Sequence, residues 1–188
     1  EISLGLVGSE MCIRDRILIV GAGGQIGSEL TTYLRKIYGA SNVVATDVRE
    51  CGKLAEGGPF EVLNALDAKA MSSVVERYKI DAIFNLVALL SAVGEKNPQT
   101  AWNINIGALM NALEVAREYG CALFTPSSIG AFGPTSPKDK TPQDTIMQPT
   151  TIYGVCKVTG ELLGNYYFRR YGVDTRSVRF PGIISNVT

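Results

Sequence analysis

The stretch GAGGQIG at residues 21–27 contains four glycines, three of which, Gly21, Gly24 and Gly27, are spaced three positions apart. A short apolar run, ILIV at 17–20, precedes it, and a segment with helical periodicity, 24–39, overlaps and extends beyond it. Glycines in such a turn allow a tight bend, close approach of a pyrophosphate and close packing of the helix on the strand. The helix N-terminus adds N–H groups and the positive end of a dipole. The pattern therefore predicts a dinucleotide cradle, formed by Gly21, Gly24, Gln25, Ile26 and Gly27.

Strand and helix patterns alternate along the rest of the chain. Strands are predicted at 17–20, 42–47, 60–67, 81–88, 121–128 and 174–180, and helices at 24–39, 68–79, 98–119 and 151–171. On the first helix, the residues expected to face the core are Ile26, Leu30, Tyr33, Leu34 and Ile37. This alternation predicts an α/β fold with a doubly wound parallel sheet, a Rossmann-type domain.

A carboxylate stands at the end of the second predicted strand, the usual position for a contact with the adenosine ribose. Asp47 lies twenty residues beyond Gly27. A carboxylate there can accept hydrogen bonds from the ribose hydroxyls and repels a 2′-phosphate, which favours NAD over NADP. Two alternatives remain open: Arg49 could accommodate a 2′-phosphate, and Asp47 could simply cap a turn.

Composition excludes several classes of function. The 188 residues suit one globular domain, with 46% hydrophobic and 19% charged residues. The formal net charge is zero and no basic run occurs, so neither nucleic acid nor a membrane surface is an expected partner. Four scattered cysteines favour a reducing compartment, the cytoplasm. The absence of histidine removes Ser-His-Asp hydrolases and the usual zinc sites, and no metal site is predicted.

The first sixteen residues, EISLGLVGSEMCIRDR, differ in character from the rest of the chain. They lack the basic start and long apolar stretch of a secretory signal, and they resemble translated adapter sequence. We expect residues 1–16 to be a non-native leader, or alternatively a flexible extension, and residues 17–188 to form the NAD-binding domain.

An acid–base pair is the strongest catalytic candidate. In TIYGVCK, at 151–157, Tyr153 and Lys157 are four residues apart and share one face of a predicted helix. A free tyrosine has a pKa of about 10, so a tyrosine base needs a nearby cation that favours the phenolate. Ser127 and Ser128 end the fifth predicted strand, at the edge where the cofactor is expected. A serine hydroxyl there could orient the reacting oxygen of a substrate.

With these motifs in family order, the chain resembles the extended short-chain dehydrogenase/reductase superfamily over residues 17–188. The resemblance implies that Tyr153 is the general base, Lys157 its partner and Ser128 the hydroxyl that polarises the substrate. It also implies a smaller C-terminal substrate domain, which is missing from this chain, and a homodimer formed through the helices at 98–119 and 151–171. The further cofactor contacts that it implies are Leu66, Asp67, Leu86, Ala88, Tyr153, Lys157, Pro181 and Ile183.

Local sequence separates the reactions found in this superfamily. Sugar-nucleotide dehydratases carry an Asp-Glu pair where this chain has Ile129 and Gly130, which argues against dehydration. The stretches NLVALLSAVGEKNP, PSSIGAFGPTSP and VRFPGIIS are similar to those of NAD-dependent L-threonine 3-dehydrogenases. This resemblance implies oxidation of the Cβ hydroxyl of L-threonine to 2-amino-3-oxobutanoate, with Ser91, Ser127, Ser128 and Tyr153 at the substrate.

Two alternatives stay open. A UDP-sugar 4-epimerase would retain its NAD and catalyse no net redox change. A non-catalytic NAD-binding regulator would keep the glycine turn but usually lose the pair of Tyr153 and Lys157. The proline-containing segment 134–149 is either part of a lid over the site or a plain surface connection.

Overall fold

The computed structural model describes residues 16–183, and the predicted alternation of strands and helices is present in it. The strands are β1 Ile17–Val20, β2 Val43–Asp47, β3 Phe60–Val62, β4 Ala82–Asn85, β5 Ala122–Phe124, β6 Ser127–Ser128, β7 Thr175–Arg176 and β8 Arg179–Phe180. The helices are α1 Gln25–Tyr38, α2 Gly52–Glu56, α3 Ala68–Tyr78, α4 Ser91–Gly94, α5 Pro98–Tyr119 and α6 Ile152–Tyr171. The short helices α2 and α4 were not predicted, since four or five residues carry too little periodicity to detect.

Six strands form one parallel sheet in the order β3-β2-β1-β4-β5-β7. The strand β1 lies at the centre: Ile17 pairs with Val43 on one side and with Ala82 on the other. The chain winds outward in one direction through β2 and β3, then crosses to β4 and continues the opposite way. This reversal confirms the predicted doubly wound fold. It also opens a crevice at the carboxyl ends of β1 and β4, where ligands bind in folds of this kind.

Helices cover both faces of the sheet, which explains why β1 is apolar at every position. Leu18 and Val20 belong to the larger core cluster, together with residues of α3, α5 and α6. Ile17 and Ile19 point to the opposite face, where Leu34 of α1 joins them. Successive side chains of a strand alternate between faces, so a strand buried on both sides needs a continuous apolar run. Each of these buried side chains contributes about 1.5–3 kcal/mol to folding.

The predicted strands at 121–128 and 174–180 were each too long. The first is divided into β5 and β6 at Thr125 and Pro126, and the second into β7 and β8. The hydrogen bonds to the neighbouring segment nevertheless continue past this division, because the N–H of Thr125 donates to the carbonyl oxygen of Arg176 and the N–H of Ser127 to that of Val178. The β6–β8 pair thus continues the direction of β5 and β7 as a separate two-stranded sheet.

The prediction for the buried face of α1 was wrong in part. Tyr33 and Ile37 are 61% and 54% exposed, whereas Thr31 and Arg35 are buried beside Leu34. The reason lies in the side chain of Arg35, whose polar groups find partners within the fold. Burial of a charged side chain is tolerated only where its donors are satisfied.

Arg35 joins three segments through backbone carbonyl groups. Its Nε donates to the oxygen of Val43 (3.3 Å), Nη1 to that of Leu54 (2.5 Å) and Nη2 to that of Pro59 (2.6 Å). Burial lowers the pKa of Arg35 from its usual value. The guanidinium thus fixes α2 and the start of β3 against α1 and β2.

Residues 1–15 of the expected leader lie outside the described residues. Arg16, the last residue assigned to it, belongs to the fold, because its carbonyl oxygen accepts hydrogen bonds from the N–H groups of Asp81 and Ala82. In the described range 16–183, no helix is long and apolar enough to cross a membrane.

Replacing Arg35 with methionine is expected to lower the free energy of unfolding by roughly 2–4 kcal/mol, because three carbonyl groups lose a charged donor. Denaturant unfolding measures the change. The same substitution at the exposed Arg169 is the control and should change stability by less than about 0.5 kcal/mol. Equal effects at the two positions would show that the buried guanidinium has no special structural role.

Candidate active site

The glycine turn lies at the carboxyl end of β1, and its geometry leaves no room for a side chain at residue 27. A Cβ atom on Gly27 would lie 2.3 Å from the carbonyl oxygen of Gly21, so α1 begins directly against the turn. Gly24 is the N-cap of α1, which has no side-chain cap and no acidic residue in its first turn. Gln25 is exposed and Ile26 is half-buried. This helix end suits an anion, and the turn therefore fits a pyrophosphate.

Asp47 is the last residue of β2 and is buried beside the glycine turn. Its Oδ2 accepts a hydrogen bond from the N–H of Gly23 (2.9 Å), and its Oδ1 accepts one from the N–H of Arg49 (3.2 Å). These two bonds fix the carboxylate at the edge of the cradle. Gly23 was not among the predicted site residues; the additional glycine in GAGGQIG was the signal that could have revealed it.

The loops after β3 and β4 bring the other predicted cofactor residues to the same edge. The N–H of Leu86 donates to the carbonyl oxygen of Val20 (2.9 Å), so the chain after β4 runs beside the glycine turn, with Ala88 half-buried. Leu66 is exposed in the loop after β3. Asp67 caps α3, its Oδ1 accepting from the N–H of Ala70. Its adenine contact stays a prediction, as do the contacts of Pro181 and Ile183, which lie exposed after β8.

The N-terminus of α6 holds Tyr153 and Lys157 on one face. Thr151 caps this helix through its hydroxyl, which accepts from the N–H of Gly154 (3.0 Å). The Nζ atom of Lys157 donates to the carbonyl oxygen of Pro126 (2.8 Å) and lies 5.3 Å from the centre of the Tyr153 ring. Burial lowers the pKa of Lys157 from 10.5 to about 8, against a smaller opposing effect of Cys156. The lysine is thus a desolvated cation beside the tyrosine.

Ser128 lies close to Tyr153 because the turn at Ile129–Ala131 packs against α6. The hydroxyl oxygen of Ser128 accepts from the N–H of Gly130 (3.0 Å). A Cβ atom on Gly130 would lie 3.4 Å from both that oxygen and Cδ1 of Tyr153. The approach depends on Gly154, where a Cβ atom would lie 2.2 Å from the carbonyl oxygen of Gly130. The structure thus brings the predicted catalytic residues together.

The two other serines differ in their surroundings. Ser91 is half-buried and begins α4, which lies beside α6 because Glu95 accepts a hydrogen bond from the N–H of Ile152 (2.7 Å). Ser127 is only 4% exposed, and its hydroxyl donates to Oε1 of Glu161 (2.5 Å). Substrate contact was predicted for both. In the structure Ser91 lies near the site, whereas the Ser127 hydroxyl is already bonded to Glu161.

Sequence reasoning missed the ion pair behind Ser127. Arg179 donates to both carboxylate oxygens of Glu161, at 2.8 and 2.7 Å. The available signal was the position of Glu161 one turn beyond Lys157, on the same face of α6.

The described groups suit proton transfer. Within residues 16–183, no group of three or more aspartate, glutamate or cysteine side chains could hold a metal ion. A tyrosine beside a lysine can accept a proton, and a serine can hold an oxygen, next to a cradle for a dinucleotide. This combination suits the removal of a hydride and a proton from an alcohol.

Sequence comparison assigns the chain to a family. Residues 17–187 match the NAD dependent epimerase/dehydratase family, and the chain belongs to it. A protein described as an uncharacterised epimerase/dehydratase of Staphylococcus haemolyticus is 59% identical over 175 residues, which are 92% of this chain and 55% of that relative. The chain thus spans about half the length of the curated relatives that it matches.

Solved structures extend the comparison. L-threonine dehydrogenase from Clostridium difficile superposes with a TM-score of 0.90 at 53% identity, over 92% of this chain and 55% of that one. The holo form of the GalE-like L-threonine dehydrogenase from Cupriavidus necator gives 0.89 and 51%, over 92% and 57%. UDP-glucose 4-epimerase from Brucella ovis, in complex with NAD, gives 0.79 and 21%, over 87% and 51%, which shows the shared fold. The cofactor of this chain is NAD, as the family, the glycine turn and Asp47 indicate.

The variant Asp47→Asn is expected to weaken NADH binding by roughly 10- to 100-fold, because the ribose loses a charged hydrogen-bond acceptor. It should also narrow the preference for NADH over NADPH, since the repelling charge is gone. Fluorescence titration with the two nucleotides measures both effects. Asp139→Asn, in an exposed loop, is the control, and an unchanged affinity in the Asp47 variant would refute the assigned role.

Lys157 should make stability depend on pH in a defined window. Its pKa is about 8 in the folded chain and near 10.5 when unfolded, so between these values the unfolded chain binds more protons. The free energy of unfolding should therefore rise with pH from about 8 to about 10.5, by at most about 1.4 kcal/mol per pH unit from this group.

Denaturant unfolding at several pH values, compared with Lys157→Met, isolates the contribution of this lysine. The difference in stability between the two proteins should change across the window. Lys36→Met, at an exposed position, should show no such change. Parallel curves for the wild type and Lys157→Met would contradict the desolvation of Lys157.

Proposed function

We propose that this chain carries the NAD-binding and catalytic part of an enzyme that oxidises L-threonine at its Cβ hydroxyl to 2-amino-3-oxobutanoate. The observation that carries the proposal is the similarity to solved L-threonine dehydrogenases, at 41–53% identity and, for the C. difficile enzyme, a TM-score of 0.90. The epimerase structure shares only 21% of its residues and supports the fold alone.

The described residues suit the proton half of this reaction. The hydroxyl of Ser128 would hold the substrate oxygen beside Tyr153, and Tyr153 would take the hydroxyl proton as the carbonyl group forms. Lys157 would stabilise the phenolate form of Tyr153 through its charge, and could also bind the nicotinamide ribose. Bound NAD supplies the acceptor for the hydride that leaves Cβ. One proton and one hydride leave the alcohol, which balances the oxidation.

The substrate's amino-acid group would lie towards α4. Ser91 begins that helix, and Glu95 holds it against the catalytic end of α6. A contact with the substrate is therefore proposed for Ser91. Ser127 is a weaker candidate, because its hydroxyl already donates to Glu161. The segment 134–149 would cover the site from the other side, as part of a lid.

A homodimer through α5 and α6 is part of the proposal. Trp102 on α5 and Val155, Leu162 and Tyr166 on α6 are 38–60% exposed in the single chain. Apolar side chains exposed along two packed helices are typical of a surface that a partner covers. The described free cysteines, Cys51, Cys121 and Cys156, suit the cytoplasm.

The test is NADH formation from L-threonine, measured by absorbance. The chain would be assayed alone and extended by the C-terminal part of the C. difficile enzyme, because it spans 55% of that relative. Tyr153→Phe should lower kcat about 10²- to 10⁴-fold, as expected for loss of a general base. Tyr33→Phe alters an exposed tyrosine on α1 and should leave kcat unchanged.

Two results would redirect the proposal. A folded chimera that binds NADH but does not oxidise L-threonine would refute the substrate; interconversion of UDP-glucose and UDP-galactose by the same protein would then identify a 4-epimerase. NADH binding with neither activity, in a protein indifferent to Tyr153→Phe, would favour a non-catalytic NAD-binding regulator.

A further inference from the structure

Glu161 and Arg179 form an ion pair behind the candidate catalytic residues. The Nε and Nη2 atoms of Arg179 donate to the two carboxylate oxygens of Glu161, at 2.8 and 2.7 Å, in a parallel, two-pronged arrangement. Each side chain is only 14% exposed. Burial alone would raise the pKa of Glu161, but hydrogen bonds from Arg179 and Ser127 outweigh it, so this pKa lies below its usual value and the carboxyl group is ionised.

The pair reaches further segments of the chain. Oε1 of Glu161 also accepts from the hydroxyl of Ser127, at 2.5 Å. Nη1 of Arg179 donates to the carbonyl oxygen of Gln143, at 3.0 Å, and its guanidinium carbon lies 5.3 Å from the centre of the Phe132 ring. One buried ion pair therefore contacts α6, β6, β8, the turn after β6 and the segment 134–149.

These are the segments that carry the candidate catalytic groups. Ser127 and Arg179 are register partners in the β6–β8 pair, and Ser128 comes directly after Ser127. Glu161 lies one helical turn beyond Lys157 on the same face of α6. The ion pair thus connects the strand that holds Ser128 to the helix that holds Lys157.

The charge of the pair lies beside Lys157. Lys157 and Glu161 line the same cavity of about 20 Å³, together with Asn85 of β4, Asn105 of α5 and Ser127 of β6. The titratable neighbours of Lys157 on its own helix are Tyr153 and Cys156. Glu161 contributes the carboxylate at this cavity, and Arg179 neutralises it. Unpaired charges in such a place would act strongly on Lys157.

We propose that Glu161 and Arg179 are positioning residues for the reaction. As a neutral, two-pronged pair they hold β6 against α6, which fixes Ser128 relative to Tyr153. Because each neutralises the other, neither acts as an unpaired charge on Lys157. The effect on turnover rests on the proposed function. The effect on Lys157 does not, and can be measured in this chain without any substrate.

The test compares Glu161→Gln, Arg179→Gln and the double variant. The pKa of the Lys157 ammonium is followed by NMR, with its signal assigned by its loss in Lys157→Met. Glu161→Gln leaves the Arg179 cation unpaired and should lower this pKa, whereas Arg179→Gln leaves the carboxylate unpaired and should raise it, each by roughly 0.5–1 pH unit. The double variant restores neutrality and should return close to the wild-type value.

Measuring kcat separates the effect of the pair's position from the effect of its charge. In the chimera with the C. difficile C-terminal part, the double variant should still show a kcat about 10- to 100-fold below wild type, because the hold between β6 and α6 is lost while the charge balance is kept. Its KM for NAD should be unchanged, since neither residue contacts the glycine turn. Circular dichroism and NADH binding would verify that each variant is folded.

The pair of Glu61 and Arg77 is the control, an ion pair at 2.7 Å at the opposite edge of the sheet, in which the Arg77 side chain is 60% exposed. Its glutamine variants should change neither the pKa of Lys157 nor kcat. Shifts of the same sign in both single variants, or a lower melting temperature with no shift, would overturn the proposal and leave a merely structural ion pair. If the wild-type chimera fails to oxidise L-threonine, the proposed function falls, and the titration of Lys157 still decides this inference.

Discussion

Parallel pairing of β1 with both of its neighbours is the constraint on which the rest of the molecule depends. Because β2 and β4 run parallel to β1 in register over its four residues, all three strands end at one edge of the sheet. The glycine turn, Asp47 and the loop after β4 therefore meet there, although they are far apart in the chain. The apolar residues of β1 drive this pairing from both faces of the sheet. The site is a consequence of where the core places the ends of the strands.

The candidate catalytic groups are joined to this edge by contacts that tolerate little change. The helix α6 approaches the turn after β6 closely enough that residue 154 has no space for a side chain. The same approach places Lys157 in a largely desolvated position, which disfavours its charged form. A single backbone carbonyl compensates part of that cost. Burial of Lys157 thus lowers the stability of the fold while it shifts the lysine's pKa, a combination that is common at functional sites.

Much of this arrangement could be predicted from local patterns. Periodicity and the glycine spacing identified the central strands, the four longer helices, and the relation of Asp47 to the cradle, because each depends on residues near one another in sequence. The burial of Arg35 could not be predicted in this way, since its acceptors are carbonyl groups on three separate segments. The position of Glu161 one turn beyond Lys157 marks it as facing the site, but nothing local shows that it would meet Arg179, which lies eighteen residues further on, on β8. Long-range polar contacts are invisible to a pattern that records only apolar spacing.

The interruption at Pro126 has a consequence for the lysine that it contacts. A carbonyl group inside a continuous strand is already committed to its neighbour's N–H, whereas the gap between β5 and β6 leaves that of Pro126 available to the Nζ atom of Lys157. Proline has no N–H to donate, and the N–H groups on either side of it, those of Thr125 and Ser127, already donate to the carbonyl oxygens of Arg176 and Val178. Residue 126 takes no part in that ladder, and its carbonyl oxygen accepts from the lysine instead. The break between β5 and β6 thus reserves an acceptor for the helix that carries the candidate catalytic pair.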